Sequence, residues 1–161
     1  MPDESLVPHI RLNVSAALEE DIRDGDLTAQ LISPTQTASA SITSRQEAVL
    51  CGTLWFEECF LRLDPDCRIH WKAEEGELVQ PGQQLCEVHG NTRALLTAER
   101  SALNFLQTLS GTATLVRRYV DAVAGINVRI MDTRKTLRGM RIAQIYAVGI
   151  GGGYNQRIGL F

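Results

Sequence analysis

Residues 127–161 read NVRIMDTRKTLRGMRIAQIYAVGIGGGYNQRIGLF. NVRIM has the composition of a strand, and DTRKT follows at its carboxyl end. GMRIAQIYAV, residues 139–148, has the spacing of a helix, and the glycine-rich tail leads into a second strand. Strand, loop, helix, loop, strand is the βαβ rhythm of a parallel α/β sheet. In such folds the functional loops lie at the carboxyl ends of the strands. Arg134 and Lys135 fall there, adjacent on a loop, where they can converge on one ligand. Arginine offers a flat bidentate fork for a carboxylate or phosphate, and lysine a compact charge. Arg157 follows the run Gly151, Gly152, Gly153, which lets backbone approach backbone or ligand closely. The run lacks both the spacing and the Lys-Ser/Thr of a phosphate-binding P-loop. These residues suit a pocket for a small polyanion; a solvated basic surface is the alternative reading.

Charge divides the chain. Residues 1–90 hold 6 Lys and Arg against 16 Asp and Glu, a balance of −10, and residues 91–161 hold 10 against 3, a balance of +7. Together these give the net −3 of the 161 residues. The second half therefore suits an anion, or an acidic face of a partner copy. Nucleic acid is disfavoured, because the basic half has little aromatic interleaving and no helix-turn-helix or zinc pattern. The length suits one domain, or one small domain plus part of another, and 44% hydrophobic content suits a buried core. No apolar run is long enough for a bilayer, and the polar start MPDESLVPHI is unlike a secretory signal, so a cytoplasmic location is expected. Cys51, Cys59, Cys67 and Cys86 form no C-x-x-C pair and have no histidine at zinc-finger spacing. They could form two disulfides, but in a reducing compartment they act as small hydrophobes.

Upstream, residues 10–24 show helical spacing through Ile10, Val14, Ala17, Leu18 and Ile22, with Gly25 as a stop. Strands are expected at 37–44, 46–51 and 67–72. Residues 53–63 read as a short helix capped by Thr53, with Phe56, Phe60 and Leu63 on one face. Turns at Gly76 and Pro81-Gly82 predict a β-hairpin or bent sheet over 76–88. That stretch resembles the turn regions of biotinyl- and lipoyl-type modules, without their carrier lysine. Residues 97–123 carry the longest helical pattern, with LSGTAT predicted to break it, since Gly111 costs about 1 kcal/mol relative to Ala in a helix.

Four stretches resemble one family in collinear order: EEDIRDGDLT near the start, LTAERSALNFLQTLSGTAT, DTRKTLRGMR and YAVGIGGGYNQRIGL. They are similar to quinolinate phosphoribosyltransferase, the carboxylating nicotinate-nucleotide pyrophosphorylase of de novo NAD synthesis. The resemblance runs from about residue 10 to residue 161. It implies an α+β N-terminal open-sheet sandwich over 1–110, its last helix extending to about 124. The beginning of an incomplete α/β phosphoribosyltransferase-type barrel follows over 125–161. It implies transfer of phosphoribose from phosphoribosyl pyrophosphate to quinolinate, with loss of CO2, and Mg2+ accompanying the pyrophosphate. The metal ligands belong to later strands, and none is expected in this chain. The resemblance assigns Arg134, Lys135, Arg157 and Gln156 to substrate, with Lys135 also catalytic. Arg100 is assigned to the neighbouring subunit's site in a homodimer or higher oligomer; a helix-surface salt bridge is its other reading.

Three positions depart from the family pattern. Arg138 stands where proline is usual in DTRKT-x-P-G-x-R, Ile145 where lysine precedes Tyr-Ala-Val, and Gln156 where histidine is usual in N-H-R. Gln donates a hydrogen bond but cannot become a cation. A complete barrel needs roughly 200–250 residues, and only 34 run from Val128 to the end. A truncated chain is therefore expected, leaving Ile130, Ile142, Ile145, Val148 and Leu160 in want of cover. Other readings are a non-catalytic family member that binds an aromatic dicarboxylate or pairs with a full-length subunit, and a β-sandwich interaction module with a disordered tail beyond about 125.

Overall fold

The computed structural model describes residues 5–22 and 31–155. The first helix, α1 (Val7–Ile22), buries Ile10, Val14 and Leu18, three positions four residues apart that make one stripe. Its expected stop at Gly25 lies outside the described residues. After it come β1 (Thr37–Thr43), β2 (Ala48–Val49), α2 (Thr53–Leu63), β3 (Arg68–Trp71), β4 (Leu78–Val79) and β5 (Gln84–Asn91).

The strands form two antiparallel sheets, β1-β5-β3 and β2-β4. The register of the larger sheet sets Ser39 beside His89 and His89 beside Arg68. Alternation along β5 sends Leu85, Cys86, Val88 and Gly90 inward or into the sheet, while Glu87 and His89 face solvent. The outer face, with Ser39, Ser41, Arg68 and His70, is exposed, which leaves the sheet open on one side. Its inner face meets α2: Trp71 packs edge-on against Phe56 at 5.3 Å, and Phe56 against Phe60 at 4.9 Å. The stretch 76–88 is no simple hairpin. Its turns form where Gly76 and Gly82 take φ of +86° and +83°, but β4 pairs with β2 and β5 with β1 and β3. The chain crosses from one sheet to the other between them.

Helix α3 (Thr92–Ala122) runs 31 residues without a break. It begins earlier than its apolar pattern, because the Asn91 side chain accepts from Arg93 N and Ala94 N. The predicted interruption does not occur, for a tertiary reason. Ser110 and Thr114 turn their hydroxyls to the chain around β2, where Cys51 N donates to Ser110 Oγ at 2.9 Å and Val49 N to Thr114 Oγ1 at 2.9 Å. Ser110 Oγ in turn donates to Cys51 O at 3.1 Å. Leu95, Ala98, Ala102, Phe105, Leu106, Leu109 and Ala113 line the buried face, each large one contributing about 1.5–3 kcal/mol.

Beyond α3 the expected strand at 127–131 is absent as a strand. A single parallel bridge joins Met131 to Tyr154, with Asp132 N donating to Tyr154 O and Tyr154 N to Ile130 O, both at 2.9 Å. Between them α4 (Arg141–Ile150) buries Ala143, Ile145 and Ala147. The βαβ order is present in outline, with its strands reduced to one bridge. Residues 126–155 are therefore no disordered tail. Ile145 is covered within the chain, contrary to the expectation of an exposed residue; Ile130, Ile142 and Val148 are half-buried, and Leu160 lies outside the described residues. The exposed apolar side chains here are Ile126, Val128, Met131, Leu137 and Tyr154. No helix among the described residues is long and apolar enough to cross a membrane. All four cysteines are buried and free, so neither of the possible disulfides is present.

Candidate anion-binding site

The DTRKT loop is tied at both ends. Its start is set by the Met131–Tyr154 bridge. At its other end Met140 N donates to Leu137 O at 3.1 Å, closing a turn whose central residues are Arg138 and Gly139. Gly139 has φ +78°, the left-handed value that the third position of a type II turn requires. Gln144, one turn into α4, accepts from Leu137 N at 2.8 Å, and Lys135 N donates to Thr133 Oγ1 at 3.2 Å. Arg134, Lys135 and Arg138 are exposed between these anchors, with Asp132 half-buried. Among the described residues none of the three cations takes part in an ion pair. Such a loop presents positive charge to solvent on a fixed backbone, which suits recognition of a small anion.

What holds the loop to the body of the molecule comes from far away in sequence. Asn13 on α1 donates from Nδ2 to Gly139 O at 2.8 Å. Its Oδ1 accepts from Trp55 Nε1 at 3.2 Å. Trp55 is fully buried and lies 5.4 Å from the Tyr146 ring of α4. Glu75 closes the arrangement. Its carboxylate accepts from Gly52 N at 2.8 Å and Thr53 N at 3.1 Å, at the N-terminus of α2. Its charge also acts on the Tyr146 hydroxyl and the Cys51 thiol. Burial, reinforced by the Glu75 charge, pushes both of those groups well above their usual range. The expected cap by Thr53 is thus replaced: the α2 N-terminus has no side-chain cap of its own, and a carboxylate from 22 residues away serves instead.

The glycine run has a packing role. A Cβ at Gly151 would lie 2.5 Å from Ala113 O and 2.7 Å from Val116 Cβ, and one at Gly153 would lie 2.8 Å from Val148 Cγ1. The turn after α4 therefore sits directly on α3, and Arg117 Nε clasps it by donating to Gly151 O at 3.2 Å. Arg129, not singled out by the sequence, stacks over the Tyr154 ring at 4.9 Å.

Arg134 and Lys135 are together on the loop. Arg100 is not with them. It is exposed on α3 and pairs with Asp21 at 2.9 Å. Asp21 lies two turns beyond Asn13 on α1, roughly 12 Å along the axis. Gln156 and Arg157 lie outside the described residues. Among the described residues no three His, Cys, Asp or Glu side chains gather to hold a metal. Of the residues that sequence reasoning missed, Asn13 gave a faint signal: it is a polar side chain beside Val14 on the buried stripe of a helix. Glu75 gave none, sitting in a run of surface acids.

Comparison with known proteins agrees with this architecture. The profile of the quinolinate phosphoribosyl transferase N-terminal domain matches residues 26–110, and that of its C-terminal domain matches residues 112–161. A nicotinate-nucleotide pyrophosphorylase [carboxylating] from Mycobacterium leprae is 41% identical over 157 residues, covering 93% of this chain and 54% of the relative. The solved nicotinate-nucleotide pyrophosphorylase from Francisella tularensis superimposes with TM-score 0.91 at 42% identity, over 96% of this chain and 55% of that one. NadC from Streptococcus pyogenes gives 0.93 at 34% identity, over 99% and 57%. The chain spans about half the length of the curated relatives it matches. Its open-sheet unit and the first elements of an α/β barrel thus belong to the quinolinate phosphoribosyl transferase family.

Proposed function

We propose that this chain provides the dicarboxylate-binding part of a quinolinate phosphoribosyltransferase, acting in de novo NAD synthesis. In that reaction the ring nitrogen of quinolinate forms a bond to C1 of phosphoribosyl pyrophosphate as the C1–oxygen bond to pyrophosphate breaks. The 2-carboxylate leaves as CO2, its electron pair stays on ring carbon 2, and a proton replaces it to give nicotinate mononucleotide. Arg134 and Lys135 take the two carboxylates, and Lys135 stands nearest the chemistry. Gln156 and Arg157 assist, and Arg100 serves the site of a neighbouring copy in a homodimer. A cytoplasmic location and a sandwich unit ending near residue 110, its helix continuing to about 124, complete the reading. Mg2+ would accompany the pyrophosphate, but the described residues do not fit a metal site, and no step here passes through one.

The observation that carries this reading is a loop with two adjacent exposed cations, neither paired with a carboxylate of the described chain, in a sequence that belongs to this family. Each hydrogen bond to a charged group contributes roughly 1.5–3 kcal/mol. Calorimetric titration of the chain with quinolinate should show saturable binding. The Arg134→Ala/Lys135→Ala double variant should bind at least about tenfold more weakly. Equal binding by both proteins would place the ligand elsewhere.

A further inference from the structure

The cationic loop must hold two charged side chains at a fixed spacing if it is to read two carboxylates. Its own hydrogen bonds tie it to α4 and to Tyr154, elements of the same segment. The tie to α1 is the Asn13 amide. That amide has only one workable orientation. Trp55 Nε1 is a donor without acceptor capacity, so it fixes the Asn13 oxygen, and the Asn13 nitrogen is left to donate to Gly139 O. Trp55 is itself immobilised by full burial and by the Tyr146 ring 5.4 Å away. Gly139 is the turn residue that aims Arg138 and ends the segment carrying Arg134 and Lys135.

We propose that Asn13 is a positioning residue, oriented by Trp55, that sets the cationic loop at Gly139 and so determines how well the loop distinguishes a pyridine dicarboxylate from a monocarboxylate. The second part of this statement rests on the dicarboxylate reading above. The first part does not.

Two variants separate the bonds. Asn13→Asp keeps the shape and the acceptor for Trp55 but loses the donor to Gly139. Asn13→Ala loses both. Amide hydrogen exchange in the free full chain should rise across residues 133–140 in both variants by about fivefold, the size of one ordinary hydrogen bond. Exchange at the α3 core around Leu106 should stay unchanged, and the Trp55 indole proton should keep its resonance in Asn13→Asp. In Asn13→Ala, quinolinate affinity should fall by about fivefold and nicotinate affinity much less, so their ratio drops. A role confined to stability would lower the melting temperature and leave that ratio alone. Asn13→Asp should show the same loss of quinolinate affinity when titrated at high salt, which removes the long-range part of its added charge. Unchanged loop exchange in Asn13→Asp, or a uniform rise over the whole chain, overturns the positioning role. If the unmodified chain binds no quinolinate, the dicarboxylate reading and the selectivity part fail together. The exchange data then decide the positioning role alone.

Discussion

At the scale of single residues, Arg138 is the departure from the family pattern that the structure explains most directly. It occupies the second position of the turn that Gly139 completes with positive φ. A type II turn favours proline at that position, because the ring already holds φ near the required value. The Arg138 N–H has no acceptor among the described residues, so proline would sacrifice no bond. Arg138→Pro should therefore stabilise the chain by about 0.4–1 kcal/mol, chiefly by restricting the unfolded state. For a protein of this size that is a rise of about 1–4 °C in Tm, measurable by scanning calorimetry. A fall would mean that Leu137, whose N–H is held by Gln144, cannot take the extended backbone a following proline demands. Arginine at this position thus exchanges some turn rigidity for a further cation beside Arg134 and Lys135.

At the scale of elements, the contact between α3 and α4 depends on small residues. Ala113, Ala143 and Ala147 are wholly buried, and Gly151 lies against Ala113 O. Gly151→Ala should destabilise by about 1–3 kcal/mol through overpacking. Gly149→Ala is the control. It lies on the exposed side of α4 with nothing within 4 Å of a Cβ, and should stabilise by up to about 1 kcal/mol through helix propensity. Denaturant midpoints moving in opposite directions would confirm that one glycine serves packing and the other does not; two falls would show that the helix end itself needs freedom. This pair also shows what the sequence could reveal. Helix α2 was legible to the residue, because its pattern is local and its aromatic stripe is unambiguous. The loop cations were legible because adjacent basic residues after a hydrophobic run carry their own meaning. The continuity of α3 was not, because Gly111 within LSGTAT looks like a break until the bonds of Ser110 to Cys51 and of Thr114 to Val49 are known. The strand expected at 127–131 was over-read: β-rich composition favours a strand but supplies no neighbour to pair with. Asn13 could not be linked to the site, since its partner Gly139 is 126 residues away.

At the scale of the whole molecule, the hydrophobic core is continuous from α1 through α2 and the inner sheet face to α4, and all four thiols contribute to it. Burial pushes the Cys59 thiol up to about 12 and Cys86 up to about 12, with the nearby charges of Glu58 and Glu57 adding to the effect. Cys51 and Cys67 move in the same direction, again mainly through burial. In the unfolded chain these groups ionise near 9.0. Unfolding therefore releases protons once the pH passes that value, while the folded thiols stay neutral. Their contribution to stability is complete below about pH 9 and is lost progressively as pH rises towards 12. Urea midpoints of the unmodified chain should be level in this respect at pH 7 and 8 and fall between pH 9 and 10.5. Cys59→Ala/Cys86→Ala will begin from a lower midpoint because it leaves cavities, so the slope against pH is the quantity to compare, and it should be flatter. The same burial predicts that a thiol reagent at pH 8 labels Cys51, Cys59 and Cys86 only at the rate of global opening, since the thiolate is the reactive form. Labelling of these three that outpaces unfolding would show that the core opens locally. The N-terminal unit would then be a less rigid platform than a loop held by Asn13 and Trp55 requires.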